Sequence, residues 1–359
     1  MAELIKDYHP PGTAPGTLKA VQGEDERTEI HLLEYRGEQT NTRVITDLAQ
    51  LAKELADGQP QGAVAWVHVI GLGNLAILQG LAELFKLHPL AMEDVTHLGQ
   101  RPKVESYDDT VFAVLQHQSF SNGAIKAAQI SLFSGKNYVV SFQPSGADIF
   151  EPLRTRIVTT HSRIRERNAD YLAYALIDLV VDAAFPVLEA IGDQLEGVED
   201  EILNRPGTQT MRDIYRLRRR LLELRRVLWP QREVIARLLH EDQNLISPDV
   251  SVYLRDTLDH AVQAMDVVEN YREMAASLLD VHLSNINNRL TDVMRVLTVI
   301  ATLFTPPIFV TSIYGMNFDR SSPWNMPELG WQYGYLMVWG IIIVMIIGML
   351  VYFRRKRWF

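Results

Sequence analysis

The 359-residue sequence contains no cysteine. This absence excludes a disulfide framework, a cysteine-ligated zinc site and a thiol nucleophile. The sequence also lacks a phosphate-binding loop of the Gly-x4-Gly-Lys type, a Gly-x-Ser-x-Gly nucleophile turn and a His-Glu-x2-His zinc motif. Its ten histidines form no His-x3-His pair. No short motif therefore indicates an enzyme.

The sequence also has no excess of basic residues, and its formal net charge is −9. Binding to nucleic-acid phosphates needs concentrated Lys and Arg, so the acidic balance argues against a nucleic-acid partner. It leaves cations as candidate ligands. Residues 1–12 contain Glu3 and Asp7 and no apolar core, which is unlike a signal peptide.

Two long runs, residues 296–318 and 331–353, contain no charged residue. Each is long enough to cross a hydrocarbon core of roughly 30 Å as a helix that rises about 1.5 Å per residue. Uncharged runs of this length are rare in soluble domains, which favours two membrane spans over two buried core helices. A third apolar stretch, residues 171–188, carries Asp178 and Asp182 and is therefore predicted to belong to a soluble core.

The charges that flank the two runs predict their orientation. Residues 354–357 are all basic and follow the second run, while Arg289 and Arg295 precede the first. The link between the runs holds Asp319, Glu328 and a single arginine. By the positive-inside rule, both termini lie in the cytoplasm and the link lies outside. We therefore expect a multi-pass protein of the cytoplasmic (inner) membrane, in contact with the lipid bilayer.

The rest of the chain divides by the periodicity of its apolar residues. Strands are predicted at residues 28–36, 64–70, 103–116, 127–133 and 137–142, and helices at 47–55, 74–85 and 92–98. The fold class is thus an α+β membrane protein. Its predicted parts are a cytoplasmic α/β domain (1–145), a cytoplasmic helical region (146–247), a long stalk helix that continues into the first transmembrane helix (248–314, membrane part about 295–314), an external loop (315–330), a second transmembrane helix (331–353) and a basic cytoplasmic tail (354–359).

The stalk helix is predicted to start at Pro248, with Ser247 as its N-cap. No glycine follows until Gly315, so the helix would be roughly 100 Å long at about 1.5 Å per residue. The adjacent prolines Pro306 and Pro307 should kink it within the membrane.

One face of this helix carries a stripe of small and polar residues at heptad spacing. The first row bears hydroxyls: Ser277, Ser284, Thr291, Thr298, Thr305 and Ser312. The second row lies three residues further on: Asp280, Asn287, Met294, Ala301, Ile308 and Gly315. A coiled-coil seam would have Leu, Ile or Val at these positions, whereas small polar residues suit a ring of helices around water. Close packing of membrane helices is the alternative, but the stripe continues below the membrane, which favours a pore.

A Gly-Met-Asn tripeptide, Gly315-Met316-Asn317, ends the first span. Three further motifs accompany it: His88-Pro89-Leu90 with Glu93-Asp94 and Gln100-Arg101-Pro102-Lys103, then Val293-Met294-Arg295-Val296-Leu297-Thr298, then Met326-Pro327-Glu328-Leu329. With two C-terminal spans and a basic tail, the sequence resembles the CorA family of magnesium and cobalt channels. The resemblance covers residues 85–359 and is weaker over the N-terminal strands.

The resemblance implies a homopentamer with a funnel-shaped cytoplasmic domain, in which the first span of each subunit lines one central pore. The implied activity is influx of Mg²⁺ and Co²⁺, with Mg²⁺ as both substrate and regulatory ligand, without a cofactor and without enzyme activity. Five Asn317 amides at the pore entrance would hold the hydrated ion through its waters, because Mg²⁺ dehydrates reluctantly. Gly315 would permit the backbone turn at the helix end, and Met316 would serve packing, since thioether sulfur suits hard cations poorly.

Met294 and Leu297 match the family's narrow hydrophobic constriction, which would close the pore by excluding water. Ordinary apolar membrane contacts fit Leu297 almost as well. The family often has Asn at the position of Thr291 and Met at that of Thr305, so this pore should be somewhat wetter or differently gated and less strictly selective. The full predicted pore lining and gate is Thr291, Met294, Leu297, Thr298, Ala301, Thr305 and Ile308.

Asp94 and Asp280 match carboxylates that bind divalent cations between adjacent cytoplasmic domains in the family, and Asp256 matches an acidic position near that site. For any single aspartate a solvated surface role is the usual alternative. Two other functions stay open. The zinc-transporting branch of the family shares the fold, so Zn²⁺ is an alternative cargo. From a different class, the α/β domain could be a sensor or an enzyme anchored by a membrane hairpin, although such an anchor needs no polar stripe.

Overall fold

The computed structural model describes residues 12–19, 21, 27–57, 62–121, 123–159, 162–204, 207–240, 246–319 and 324–358. The expectation about a signal peptide falls on residues that, apart from Gly12, lie outside these ranges. The chain forms two compact units. The first unit comprises residues 1–200 and 209–277, and the second comprises residues 201–208 and 278–359.

A mixed sheet forms the centre of the first unit. The described strands are β1 (Glu29–Arg36), β2 (Gln39–Ile45), β3 (Val64–Ile70), β4 (Lys103–Tyr107), β5 (Thr110–Ser121), β6 (Ala124–Ser134) and β7 (Tyr138–Gln143). They are ordered β2-β1-β3-β7-β6-β5-β4. Strands β3 and β7 run parallel, and the other neighbouring pairs are antiparallel.

Helices cover both faces of the sheet. The described helices are α1 (Leu48–Asp57), α2 (Leu75–Phe85), α3 (Pro89–Thr96), α4 (Glu151–Thr159), α5 (Ala169–Asp182), α6 (Ala184–Asn204), α7 (Thr208–His240), α8 (Pro248–Tyr314) and α9 (Gly334–Arg355). Every residue of β3 is buried. Because neighbouring side chains of a strand point to opposite faces, Trp66 joins the core with α4, α5, α7 and α8, while Val67 joins the core with α1, α2 and α3.

A polar cluster lies inside this core. Ser141 Oγ accepts a hydrogen bond from Trp66 Nε1 at 2.9 Å and lies 2.7 Å from His68 Nδ1. His68 Nε2 lies 3.3 Å from Asp148 Oδ1, and Asp148 also pairs with Arg154. Burial lowers the pKa of His68. Burial alone would raise the pKa of Asp148, but the hydrogen bond and charge of His68, together with Arg154, hold it well below its usual range.

Two details of the predicted strands are wrong. Residues 103–116 form no single strand, because the chain turns at Asp108 and Asp109 between β4 and β5. Asp108 has a φ of 47°, a left-handed conformation that aspartate tolerates better than most residues. The edge strand β2 was not predicted, since its sequence is mostly polar and its pairing with β1 places it at the sheet margin.

The second unit contains the apolar part of α8 and the whole of α9. By length and composition, three helical stretches could cross a membrane: Ala169–Asn204, Pro248–Tyr314 and Gly334–Arg355. In the apolar segment of each stretch, the share of residues buried inside the structure is 61% for the first, 6% for the second and 11% for the third. The first stretch is therefore soluble core, as Asp178 and Asp182 predicted. The other two leave their apolar side chains exposed, as membrane spans do.

The long helix α8 begins at Pro248 and ends at Tyr314, the bounds predicted from the sequence. It remains α-helical through Pro306 and Pro307. Within the second unit, Asn285 of α8 donates to the backbone carbonyl of Ile202 at 3.2 Å. This contact ties the end of α6 to the stalk part of α8.

Candidate cation pathway and cation site

The Gly-Met-Asn tripeptide follows α8 directly. Gly315 N–H still donates to the Thr311 carbonyl at 2.9 Å, and Met316 N–H donates to the Ile313 carbonyl at 3.1 Å. The helix ends at Tyr314, and Gly315 does not have a positive φ, so the turn here needs no left-handed conformation at the glycine. A Cβ there would instead lie 3.3 Å from the Thr311 carbonyl oxygen, which is a tight contact. Asn317 is exposed, so its amide is free of the helix packing.

The connecting loop is attached to the end of α8. Tyr314 donates its hydroxyl to Glu328 Oε1 at 2.7 Å. Asn325 donates to the backbone carbonyl of Asp319 at 2.6 Å. The first contact links the Met-Pro-Glu-Leu motif to the residue that precedes the Gly-Met-Asn tripeptide.

Three threonines of the polar stripe share one hydrogen-bond pattern. Thr291, Thr298 and Thr305 each donate the hydroxyl hydrogen to the backbone carbonyl four residues earlier, at 2.9, 2.7 and 2.6 Å. The three residues are exposed. A hydroxyl that donates to its own helix keeps lone pairs for other donors. The stripe therefore presents acceptors, and the waters around a hydrated cation are donors toward such groups.

The apolar residues predicted for the gate are exposed in the single chain. The exposed fractions are 52% for Met294, 58% for Leu297 and 58% for Ile308. Ala301, which completes the predicted lining with the threonines, is also exposed. No contact inside the described part of the second unit buries this face, so it is available for a neighbouring copy or for lipid.

Asp94 lies on α3 in the first unit and is half-buried. Its Oδ2 lies 2.6 Å from Lys103 Nζ, and its Oδ1 accepts a hydrogen bond from Gln100 Nε2 at 2.8 Å. Burial raises the pKa of Asp94, although Lys103 opposes this shift. The carboxylate is thus held by one cation and one amide.

A chain of glutamines holds the Asp94 region in place. Gln129 donates to the backbone carbonyl of Asp94 at 2.8 Å and accepts from the backbone N–H of Gln100 at 2.9 Å. Gln116 donates to the backbone carbonyl of Gln100 at 2.9 Å, and its own N–H donates to Gln231 of α7 at 3.1 Å. The end of α3 is thereby connected through β6 and β5 to α7.

A second group of potential ligands combines residues from α5 and α8. One ligand atom each from Asp178, Asp182 and His260 lies within 4.8 Å of the others. His260 Nδ1 is 2.9 Å from Asp182 Oδ1, and Thr257 donates to Asp178 Oδ1 at 2.8 Å. Two carboxylates and an imidazole in reach of one point can hold a divalent transition metal, while the carboxylates alone suit Mg²⁺. We call these three residues the α5–α8 cluster.

The charges around the α5–α8 cluster favour a cation. Burial alone would lower the pKa of His260, but the hydrogen bond and charge of Asp182, with the charges of Asp256 and Asp178, raise it overall. Burial raises the pKa of Asp178, and the Thr257 hydrogen bond opposes this. Both shifts reflect negative charge concentrated in a partly buried place.

The structure distributes the predicted cytoplasmic residues over both units. Asp94 and Asp256 belong to the first unit and Asp280 to the second. Asp256 and Asp280 are exposed on α8. Sequence reasoning missed the α5–α8 cluster, although Asp178 and Asp182 are one helical turn apart on an apolar helix. That spacing could have indicated a pair of carboxylate ligands, but only the tertiary fold brings His260 close to them.

The Ser141, His68 and Asp148 arrangement contains the residue types of a hydrolytic triad. Ser141 and His68 have no exposed surface. Ser141 also accepts from Trp66, so its hydroxyl is fixed within the core. A nucleophile must reach a substrate, and this serine cannot. The cluster therefore stabilises the sheet.

Comparisons with known proteins agree on one family. A sequence profile described as CorA-like Mg²⁺ transporter protein matches residues 61–355. The chain is 38% identical to the cobalt/magnesium transport protein CorA of Thermotoga maritima, over 97% of each chain. It is 32% identical to the putative metal ion transporter YfjQ of Bacillus subtilis, over 89% of this chain and 98% of the relative.

A solved structure has a similar fold over nearly the whole chain. The complete structure of the CorA magnesium transporter from Methanocaldococcus jannaschii matches with a TM-score of 0.75 and covers 91% of this chain and 98% of its own. The sequence identity is 20%, so this likeness concerns the fold.

Proposed function

The chain belongs to the CorA-like Mg²⁺ transporter family, and from this premise we propose that it conducts Mg²⁺, and Co²⁺ with it, into the cytoplasm through a central pore. Members of this family are transporters, so the activity is transport and not catalysis. In the proposed assembly five copies surround the pore, each contributing the apolar part of α8.

The hydrogen-bond pattern of the threonine stripe is the observation that carries this proposal. Thr291, Thr298 and Thr305 present acceptor lone pairs at seven-residue intervals along an exposed helix face. Rings of such acceptors can receive hydrogen bonds from the waters that Mg²⁺ keeps. The bond to its own helix would also satisfy a threonine that faces lipid, so the alignment of the three hydroxyls on one helix face is what favours a shared water-filled interior.

The proposed entrance is the Gly-Met-Asn tripeptide. Asn317 presents a neutral amide oxygen that can hold a hydrated ion without binding it tightly, and conduction needs weak sites. The Tyr314–Glu328 hydrogen bond fixes the loop beside it. Gly315 keeps the backbone close to the Thr311 carbonyl, and Met316, which is 51% exposed in the single chain, would pack in the assembled pore.

The proposed topology has both termini in the cytoplasmic compartment of an inner membrane. The basic residues 354–357 then follow α9 on the inner side, and Glu328 lies outside. The first unit, with its cation-binding residues, is accordingly cytoplasmic.

The proposed regulation uses cytoplasmic Mg²⁺ as a closing ligand. Asp94, Asp280 and Asp256 would bind it between adjacent subunits, and the α5–α8 cluster adds a site within one subunit. Two carboxylates brought to about 4 Å repel each other by roughly 4 kcal/mol at an effective dielectric constant of 20, and the Lys103 ammonium group beside Asp94 offsets part of this repulsion. A bound cation removes this repulsion and stabilises the closed ring. Falling Mg²⁺ would let the subunits separate and open the constriction at Met294 and Leu297.

Zn²⁺ is a second candidate cargo. The imidazole of His260 in the α5–α8 cluster is a ligand that Zn²⁺ and Co²⁺ accept more readily than Mg²⁺ does. The threonine and asparagine oxygens of the proposed pore favour the hard, hydrated Mg²⁺ instead, so Mg²⁺ stays the first choice.

Uptake into proteoliposomes tests the proposal. The purified full-length chain is reconstituted around a Mg²⁺-sensitive dye, and external Mg²⁺, Co²⁺ or Zn²⁺ is added. We expect rapid Mg²⁺ entry and no entry into protein-free liposomes. Zn²⁺ entry without Mg²⁺ entry would favour the second candidate, and no cation entry at all would overturn the proposal.

A further inference from the structure

We propose that Lys103 is a built-in counter-cation of Asp94, which competes with the regulatory divalent cation and thereby sets the concentration at which that cation binds. The inference rests on the proposed function, because it takes Asp94 as a ligand of the cytoplasmic regulatory site. It assigns a role to a neighbouring residue that is not itself a cation ligand.

Lys103 lies between two carboxylates. Its Nζ is 2.6 Å from Asp94 Oδ2 and 2.9 Å from Glu105 Oε1. The exposed side-chain fractions are 29% for Lys103, 17% for Asp94 and 39% for Glu105. The Asp94 pair is therefore the more sheltered one, and screening by solvent weakens it less than an open surface pair.

Both oxygens of Asp94 are already engaged. Gln100 holds Oδ1 at 2.8 Å, and Lys103 holds Oδ2. A divalent cation that binds this carboxylate, directly or through its waters, brings a second positive charge close to the Lys103 ammonium group, and the repulsion between the two cations weakens the Lys103 contact. Gln100 is fixed on both sides of its backbone, by Gln129 and Gln116. Lys103 has a flexible four-carbon stem, so it is the partner that moves.

Glu105 provides a place for the displaced ammonium group. Lys103 and Glu105 are two residues apart on β4, so their side chains lie on the same side of the strand. Tyr107 donates its hydroxyl to Glu105 Oε2 at 2.7 Å, which holds the carboxylate in position while Oε1 faces Lys103. When a cation binds Asp94, Lys103 can remain paired with Glu105 alone. Neither charge is then left unpaired in a half-buried place.

Mg²⁺-dependent protection from protease measures the exchange. The full-length protein in detergent is digested at increasing Mg²⁺, and the midpoint of protection is compared between variants. Lys103→Met removes the competitor, so we expect the midpoint to fall about threefold to tenfold. Lys103→Arg keeps the charge and should stay near wild type. Lys126→Met removes one exposed positive charge from β6 and controls for net charge.

A double-mutant cycle separates exchange from a general charge effect. In the wild-type background, Glu105→Gln leaves Lys103 with Asp94 as its one carboxylate partner, so the midpoint should rise. In the Lys103→Met background, Glu105→Gln should have little effect, because Glu105 acts through Lys103. If Glu105→Gln raises the midpoint equally in both backgrounds, Glu105 acts as a ligand or a general charge, and the exchange mechanism is wrong.

The same titration tests the proposed regulatory site and the role of Lys103 separately. Wild-type protein without any Mg²⁺-dependent protection would overturn the proposed regulatory site and the inference together. Normal protection in the wild type, with an unchanged midpoint in Lys103→Met, would overturn the inference alone. Calorimetric titration of the full-length variants with Mg²⁺ gives the midpoint without relying on cleavage.

Discussion

The hydroxyl of Thr305 donates to the backbone carbonyl oxygen of Ala301 at 2.6 Å. This bond satisfies the hydroxyl hydrogen and leaves the oxygen as an acceptor on an exposed helix face. Thr291 and Thr298 repeat the arrangement at seven-residue intervals. The side chains of the proposed pore are thus oriented by the helix itself, before any neighbouring subunit is present.

Thr305→Val tests whether this orientation serves conduction. Valine keeps the shape and removes the acceptor, so Mg²⁺ flux into proteoliposomes should fall about threefold to tenfold, since one hydrogen bond contributes about 0.5–1.5 kcal/mol. Thr311→Val is the matched control, because Thr311 donates to the Ile308 carbonyl at 3.0 Å and lies off the stripe. Equal flux in the two variants would place Thr305 outside the pore.

Leu297→Ser tests the hydrophobic constriction. A polar ring at this position keeps water in the closed pore, so the variant should conduct at cytoplasmic Mg²⁺ concentrations that close the wild-type channel. Planar-bilayer currents at high internal Mg²⁺ measure this leak. Val296→Ser serves as the control, since Val296 is similarly exposed at 59% but is not among the predicted gate residues. A leak that is equal in both variants, or absent in Leu297→Ser, would contradict the assignment.

The double variant Asp94→Asn with Asp280→Asn tests the regulatory carboxylates. We expect Mg²⁺-dependent protection of the full-length protein from protease to require at least tenfold more Mg²⁺, because two charged ligands are lost. Asp266→Asn changes an exposed aspartate of α8 and should leave the midpoint unchanged. Protection at wild-type concentrations in the double variant would move the site to Asp256 and the α5–α8 cluster.

His260→Gln tests the α5–α8 cluster. Loss of the imidazole should weaken Co²⁺ binding more than Mg²⁺ binding, because nitrogen ligands favour transition metals. Calorimetric titration of the full-length protein with each ion gives the two affinities. His240→Gln, at the exposed end of α7, is the control. Equal losses for both ions would show that His260 does not act as a ligand.

The buried His68–Asp148 cluster predicts how stability depends on pH. Burial lowers the folded-state pKa of His68 below the unfolded value of roughly 6.5. Below that pH the unfolded chain binds more protons than the folded chain, so stability falls as the pH decreases. The lowered pKa of Asp148 also reduces the free energy of unfolding as the pH falls, but only in stronger acid, where this carboxylate becomes protonated.

Thermal unfolding of the full-length protein between pH 7.5 and 5.5 checks this sign. His68→Gln should reduce the slope without abolishing it, since burial also lowers the pKa of His31 and His117. His260, whose pKa is raised, contributes with the opposite sign. A slope unchanged by His68→Gln would mean that His68 does not titrate differently on unfolding.

Much of the architecture follows from local sequence signals. The run at residues 64–70 is apolar at nearly every position, and it forms the fully buried β3. The absence of glycine between Pro248 and Gly315 corresponds to the uninterrupted α8. The two aspartates in residues 171–188 identified a soluble helix within an apolar stretch. The Gly-Met-Asn tripeptide and its companion motifs indicated the family, which the comparisons confirm.

The remaining features depend on tertiary contacts. The polar β2 is a strand because β1 pairs with it. The composition of β2 does not indicate this pairing. The turn at Asp108 needs a left-handed residue that periodicity does not reveal. The α5–α8 cluster joins residues about 80 positions apart, and the Lys103–Asp94 pair joins α3 to β4. Neither contact could be predicted from spacing along the chain.

Asn317→Ala tests whether cations enter at the Gly-Met-Asn tripeptide, because it removes the proposed entrance ligand from an exposed position after α8. Mg²⁺ uptake is measured in proteoliposomes that contain equal amounts of assembled wild-type protein, Asn317→Ala and Met316→Leu, with assembly checked by size-exclusion chromatography. We expect Asn317→Ala to abolish uptake while assembly is retained, and Met316→Leu to conduct like the wild type. Normal Mg²⁺ uptake by properly assembled Asn317→Ala would contradict the proposed pore.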